Sequence, residues 1–195
     1  MIYQQKLKLI IAENKGFITS KMVKEQGVHP QYFSMFIKTE KLIKVSSGIY
    51  RSKDAWEDMF FIFQQKKQMI YSHLTAAYLH GLIDRDPSVY HVTLPTGYNT
   101  SQVQHPLLKI FTIKRECFKL GLSSMPSPFG HRIQLYDAER TLCDLIRSRS
   151  KLDKGLVIQA VKTYARRSNR NMIKLMNYAS TFQVAKILRT YLEVL

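Results

Sequence analysis

The chain has 195 residues, 45% of them hydrophobic, which is enough to bury a core in one domain or in two small ones. Thirty Lys and Arg stand against 14 Asp and Glu, a formal net charge of +16, far more than solubility requires, so the expected partner is a polyanion. Two cysteines, Cys117 and Cys143, without a secretory apolar segment exclude a disulfide framework and point to packed thiols in a reducing cytoplasm. The short, charge-broken apolar runs exclude a membrane span.

The charge is not spread evenly. Residues 1–51 carry 9 bases and 3 acids, residues 52–146 carry 10 and 9, and residues 147–195 carry 11 and 2. Both ends are basic and the middle is close to neutral. No repeat, low-complexity tract or long flexible linker is visible.

In chain order, Ile2 to Asn14 predicts an amphipathic helix with Leu7, Ile10 and Ile11 on one side, ended by Asn14-Lys15-Gly16. Phe17 and Ile18 then dock the connection. Thr19 or Ser20 caps a short helix through Gln26, with Met22 and Val23 inward, and Gly27 stops it. Pro30 to Lys38 follows as a third helix, with Pro30 at its first position. Phe33, Phe36 and Ile37 fall at i, i+3 and i+4, which turns Gln31, Ser34, Met35 and Lys38 to the opposite side. An amide, a hydroxyl, a thioether and an ammonium on one exposed face can meet base edges and phosphates, so this stretch reads as a recognition helix.

Leu42 to Arg51 contains two short β-prone runs around Ser46-Ser47-Gly48, a wing beside such a helix. The expected DNA contacts are Ser20, Lys21, Gln31, Tyr32, Ser34, Met35, Lys38, Lys44, Ser46, Ser47 and Arg51.

Beyond residue 51, Asp54 to Lys67 predicts a helix carrying Trp56, Met59, Phe60 and Phe63, with acids in its first turn and Lys66-Lys67 in its last. Ser72 is the expected cap of a helix from His73 to His80, closed by Gly81. Strands are expected at Val89 to Leu94, Leu108 to Ile113 and Arg132 to Tyr136, with Ser123 to Gly130 a loop or hairpin tip, and Asp137 capping a helix. Three more helices follow: Leu156 to Arg167, one capped by Asn169, and a last one capped by Thr181. Their outward faces are almost purely cationic, where solvated faces normally alternate Glu with Lys, so Arg147, Arg149, Lys162, Arg166, Arg167, Arg170, Lys174, Lys186 and Arg189 form an expected second polyanion-facing surface.

His73, His80 and His91 invite a metal reading, but His73 and His80 lie two helical turns apart and no histidine stands at i+4, so no metal site is expected. Asp84, Asp86, Asp137, Glu139 and Asp144 read as turn, cap and i,i+4 pair residues rather than acid/base groups. No Walker loop, dinucleotide glycine pattern or nucleophile elbow occurs, so no enzyme and no cofactor are expected.

Several motifs in this order resemble AbiEi-type antitoxins of bacterial type IV toxin–antitoxin, or abortive infection, systems. They are Gly48-Ile-Tyr, Ser72-His-Leu-Thr-Ala-Ala-Tyr-Leu-His-Gly-Leu running on to Asp84-Arg85-Asp86-Pro87, Val92-Thr-Leu-Pro with Gly97-Tyr-Asn, Glu139-Arg-Thr-Leu-Cys-Asp-Leu-Ile-Arg, and Asn177-Tyr-Ala to Tyr191-Leu-Glu. The resemblance implies an autorepressor acting in phage defence, whose N-terminal winged helix binds inverted repeats in its own promoter. It also implies a C-terminal domain that counteracts a nucleotidyltransferase-like toxin without a stable complex. The expected fold is therefore α+β: a winged helix-turn-helix over residues 1–51, then a mixed α/β domain over residues 52–195 with central strands, ending in a bundle of basic helices. Two other readings compete. One is a metal-dependent nucleic-acid-processing hydrolase using Asp84, Asp86, Glu139 or Asp144, and the other is an RNA-binding module.

Overall fold

The computed structural model describes residues 2–66 and 68–193 and is a mixed α/β chain. Its contacts divide it into two compact units, Met1–Lys67 with Pro126–Ile133, and Gln68–Met125 with Gln134–Leu195.

The first unit begins with α1 (Ile2–Glu13), β1 (Phe17–Thr19), α2 (Ser20–Glu25) and α3 (Pro30–Thr39). A hairpin of β2 (Ile43–Ser46) and β3 (Ile49–Arg51) and then α4 (Met59–Lys66) follow, and residues 126–133 join them. Each helix start has a local cause. Thr19 accepts the Met22 amide at 3.1 Å, and Pro30 opens α3 behind His29, whose Nδ1 accepts the Gln31 amide at 3.3 Å. Leu7, Ile10, Val23, Val28, Phe33 and Phe36 share one core, and the Phe33 ring meets the Tyr50 ring of β3 edge to face. Phe17 and Ile18, expected only to dock a connection, form a strand antiparallel to β3, in the order β1-β3-β2.

The helix expected from Asp54 starts instead at Met59. Asp58 sets that start, because its Oδ1 accepts the Phe61 amide at 3.1 Å and its carbonyl accepts the Ile62 amide at 3.0 Å. Oδ2 of the same buried carboxylate takes the Ser127 hydroxyl and lies 2.7 Å from Nδ1 of His131. Trp56 therefore falls outside the helix and is 80% exposed, whereas Phe60 and Phe63 are buried as expected. Lys67, half of the expected basic ending, lies outside the described residues.

The second unit holds a sheet of β4 (Ile70–Tyr71), β5 (Tyr90–Pro95), β6 (Leu108–Ile113), β7 (Leu122–Pro126) and β8 (Arg132–Tyr136), in the order β6-β5-β4-β8-β7. β4 runs antiparallel to β5 and parallel to β8, and β5 runs parallel to β6. With it go α5 (His73–Leu79), the short α6 (Arg115–Phe118), α7 (Ala138–Arg147), α8 (Lys154–Ala165), α9 (Met172–Thr181) and α10 (Ala185–Glu193). Their shared core includes Leu74, Leu142, Ile146, Val161, Leu175 and Leu188.

Several expectations shift here. Ile70-Tyr71 is a strand too short for any periodicity to announce. The stretch 123–126, expected as loop, is the body of β7. Asn171 rather than Asn169 caps α9, accepting the Lys174 amide at 2.9 Å. Thr181 ends α9 rather than opening α10, and its hydroxyl donates to the Asn177 carbonyl one turn back.

α7 is buried almost throughout, and its centre is a cation. Arg140 is fully buried; its Nε donates to Oδ2 of Asp144 at 3.0 Å and its Nη1 to the carbonyls of Leu120 and Cys117 at 2.8 and 3.0 Å. The guanidinium carbon lies 4.1 Å from the ring centroid of Tyr136 and 4.0 Å from that of Phe182. Arg147 approaches the other Asp144 oxygen at 3.3 Å. Gly121 makes room for the side chain: at φ +76° it carries no Cβ, which would lie 2.6 Å from that of Arg140. Removing the cation strands a buried carboxylate, so Arg140→Ala should lower the unfolding free energy by about 3–5 kcal/mol. Urea titration would read this as a lower midpoint at unchanged slope, and a shift under 1 kcal/mol would contradict it.

Candidate nucleic-acid interface

α3 has two unlike faces. Phe33 and Phe36 are buried, Ile37 is half-buried, and Gln31, Ser34, Met35 and Lys38 are all exposed, Met35 by 59%. Tyr32 is also exposed, and its ring stacks on that of Tyr3 in α1 at 4.5 Å between centroids and 20° between planes. Lys6, one turn along from Tyr3, donates from Nζ to the Gln26 carbonyl at 2.7 Å, so α1 holds the α2–α3 connection. Tyr3, Lys6 and His29 were not singled out from the sequence. The i,i+3 spacing of Tyr3 and Lys6 was visible, but what they face depends on tertiary packing.

Gly48, at φ +70°, turns the chain between β2 and β3, and its carbonyl accepts the Ser20 amide at 2.8 Å. This brings Ser20 beside Ser46-Ser47. Lys44 and Ser47 are exposed, Ser46 is half-buried, and Lys21 is exposed with its Nζ 3.9 Å from Glu25. Arg51 points its Nη1 at the carbonyls of Ser52, Lys53 and Ala55, at 3.2, 3.2 and 2.8 Å.

The nine cations expected as a second surface fall into two groups. Lys162, Arg166, Arg170, Lys186 and Arg189 are exposed. Arg147, Arg149, Arg167 and Lys174 are half-buried and hold protein groups: Arg147 holds Asp144, Arg149 the Ile146 carbonyl at 3.1 Å, and Arg167 the His80 carbonyl. Lys174 bridges Asp137 at 3.0 Å and Glu139 at 3.2 Å.

The carboxylates follow the same inward pattern. Burial pushes the Glu139 pKa up, but the Tyr164 hydroxyl at 2.8 Å and Lys174 outweigh it and hold it below the usual value. For Asp144 burial prevails over Arg140 and Arg147, and its pKa is raised. Asp84 accepts from the Gln159 amide at 2.6 Å, and Asp86 is exposed. Among the described residues no three His, Cys, Asp or Glu side chains are placed to hold a metal ion. Cys117 and Cys143 are free thiols, and burial pushes that of Cys143 up to about 12.

His73 and His91 share a polar cluster at the start of α5, with His73 at φ +50°. Ser72 does not cap α5 with its side chain. Its Oγ accepts from Thr93 Oγ1 at 2.8 Å and lies 2.9 Å from His73 Nδ1, while His73 Nε2 is 3.0 Å from Ser148 Oγ. His91 Nδ1 accepts the Leu74 amide at 3.4 Å, and His80 Nε2 donates to the Tyr136 carbonyl at 2.7 Å.

Against known families, residues 5–53 match the one described as "Transcriptional regulator, AbiEi antitoxin". Over these residues the chain is similar to AbiEi antitoxins. The match supports a role as antitoxin and transcriptional regulator, and with it DNA binding. It covers α1 to the end of the β2–β3 hairpin, the elements that present the exposed α3 face. No curated protein matches the chain in sequence. The crystal structure of the RV2827C protein from Mycobacterium tuberculosis superposes with a TM-score of 0.59 at 14% identity, covering 98% of this chain and 77% of that one, and so shares its fold. No helix among the described residues is long and apolar enough to cross a membrane.

Burial, the largest cause in each case, lowers the pKa of His73 and His80 and pushes that of His91 from 6.5 down to about 4. The native state therefore keeps these rings neutral at a pH where the unfolded chain already binds protons. The contribution of His91 to stability is complete above pH 6.5 and is lost as pH falls toward 4, with a slope of about 1.4 kcal/mol per pH unit, and His73 and His80 act in the same direction. Urea unfolding at a series of pH values should show this decline, and His91→Gln should make it shallower; a flat profile would contradict burial as the cause.

Proposed function

We propose that residues 1–51 act as a winged helix-turn-helix that binds inverted repeats in the promoter of the protein's own operon and represses transcription. On this reading α3 lies in the major groove, with Gln31, Ser34, Met35 and Lys38 at base edges and Tyr32 at its rim. Ser20, Lys21, Lys44, Ser46, Ser47 and Arg51 lie along the sugar-phosphate backbone. Residues 52–195 form the antitoxin domain, which ends in a helical bundle and counteracts a nucleotidyltransferase-like toxin as a type IV, non-enzymatic antitoxin without a lasting complex. Lys162, Arg166, Arg170, Lys186 and Arg189 are its polyanion-facing cations.

The observation that carries this reading is the exposed, mixed polar face of α3, held from behind by Phe33 and Phe36. A helix presented in this way offers donors and acceptors to a groove while its apolar anchors stay in the core. The matched family supports the regulatory part.

Footprinting on the DNA upstream of the gene tests target and function together, and absence of a protected inverted repeat would defeat the proposal. Operator affinity should fall with salt, by about 0.9 log unit per log unit of salt for each phosphate neutralised. Met35→Ala and Lys38→Ala should relax sequence preference, costing about 1–3 kcal/mol of discrimination at the bases they meet. Arg166→Ala and Arg170→Ala should weaken binding to all sequences alike. The same response from both pairs would contradict the division between reading and gripping.

A further inference from the structure

The second unit gathers cations along one edge of its sheet. From residue 147 to 154 the chain reads Arg147-Ser-Arg149-Ser-Lys151-Leu-Asp153-Lys154, four bases against one acid. That acid is occupied, since Asp153 Oδ1 accepts the Gly155 amide at 2.7 Å and the Leu156 amide at 3.2 Å as the cap of α8. Lys109, on the edge strand β6, joins the group by donating from Nζ to the Lys151 carbonyl at 3.2 Å. Arg149 is steadied by the Ile146 carbonyl. Lys109 thus lies against the backbone of a segment whose charged side chains are mostly cationic.

Next to Lys109 on the same face of β6 is Phe111, at i+2 and half-buried. The Lys109 ammonium lies 5.8 Å from its ring centroid. Behind the ring lies that of His73, at 3.6 Å between centroids and 16° between planes. The hydrogen bonds fix His73 in place. Ser72 accepts from Thr93, so its own proton is best satisfied by Nδ1 of His73, which leaves Nε2–H to donate to Ser148. Ser148 then keeps its hydroxyl hydrogen as a donor beside Arg149. The edge thus combines a rigid aromatic surface, a hydroxyl donor and three neighbouring cations.

We infer that this edge is a nucleotide-binding site, with a nucleobase laid against Phe111 and its phosphate held by Lys109, Lys151, Arg149 and the Ser148 hydroxyl. Aromatic stacking needs a base that is not already stacked in a duplex, so double-stranded DNA is not the ligand. A nucleotide unit of this kind comes either as a free nucleoside triphosphate or within single-stranded RNA. The site is separate from the α3 face and does not depend on operator binding.

The test is calorimetric titration of the full chain with a mixture of nucleoside triphosphates in one arm and an unstructured RNA of about eight nucleotides in the other. One arm should bind the unaltered protein, and which one assigns the source. The double variant Lys109→Ala/Lys151→Ala should weaken that binding at least about tenfold and flatten its salt dependence. Phe111→Leu keeps an apolar side chain but no π face, and should weaken it by about tenfold, whereas Phe111→Tyr should retain it. Circular dichroism checks that each variant is folded, and operator affinity should be the same in all three. Binding in neither arm would overturn the inference. So would folded variants that bind like the parent, or an equal loss from Lys162→Ala/Arg166→Ala, which would reduce the effect to general charge.

Discussion

The second unit depends on a guanidinium that has left water. A buried arginine is tolerated only if its charge is balanced, and Arg140 has Asp144, two backbone carbonyls and the faces of two aromatic rings around it, while its Nη2 has no hydrogen-bond partner among the described residues. Each partner belongs to a different element. Asp144 lies one turn along α7, Cys117 in α6 and Leu120 just after it, Tyr136 at the end of β8, and Phe182 between α9 and α10. A fork of fixed geometry can satisfy all of them in one arrangement only. The cation therefore specifies the packing of α7 more than it adds net stability, since desolvation offsets much of the attraction.

α7 carries this logic to both of its ends. At its start Asp137 caps the helix through the Arg140 amide and holds Lys174 together with Glu139. At its end Arg147 reaches back to Asp144. Cations that look like surface charge in the sequence are therefore internal ties, Lys174 of α9 to the start of α7 and Arg147 within α7 itself. In the first unit the opposite holds: α3 has its hydrophobic side fixed by Phe33 and Phe36, while Gln31, Ser34, Met35 and Lys38 on its other side are exposed.

Long amphipathic helices were legible in the sequence because burial repeats with the helical period: α1, α3 and α8 lie close to where their apolar stripes place them. The cap of α7 at Asp137 was equally plain, while that of α2 was narrowed to Thr19 or Ser20 and the structure selects Thr19. What failed to show has a common physical origin. β1 and β4 have three and two residues, too few for alternation, and exist because other strands pair with them. The start of α4 is set by Asp58, whose partners Ser127 and His131 are 69 and 73 residues away. Asn169 and Asn171 are equally good caps by type, and only the fold chooses between them. Arg140 and Asp144, spaced i,i+4, look like an exposed helical pair, and nothing local reveals that both are in the core.

The same separation of charge by environment bears on how a duplex would be held. Of Gln31, Ser34, Met35 and Lys38 on α3, Lys38 is the one cation, so on the proposed reading that face would discriminate between bases but supply little of the attraction to phosphate. On the proposed reading, attraction comes from the remaining bases of residues 1–51, where nine bases stand against three acids, and from the exposed cations of the second unit. Lys8 lies 3.2 Å from Glu40 and Lys21 lies 3.9 Å from Glu25, yet both pairs are exposed and weak at ordinary ionic strength. A phosphate can compete with a glutamate for such a lysine, whereas it cannot draw Arg140 or Arg147 from Asp144. Exposure of its cations, rather than the formal charge of +16, therefore decides what each surface can contribute to binding a polyanion.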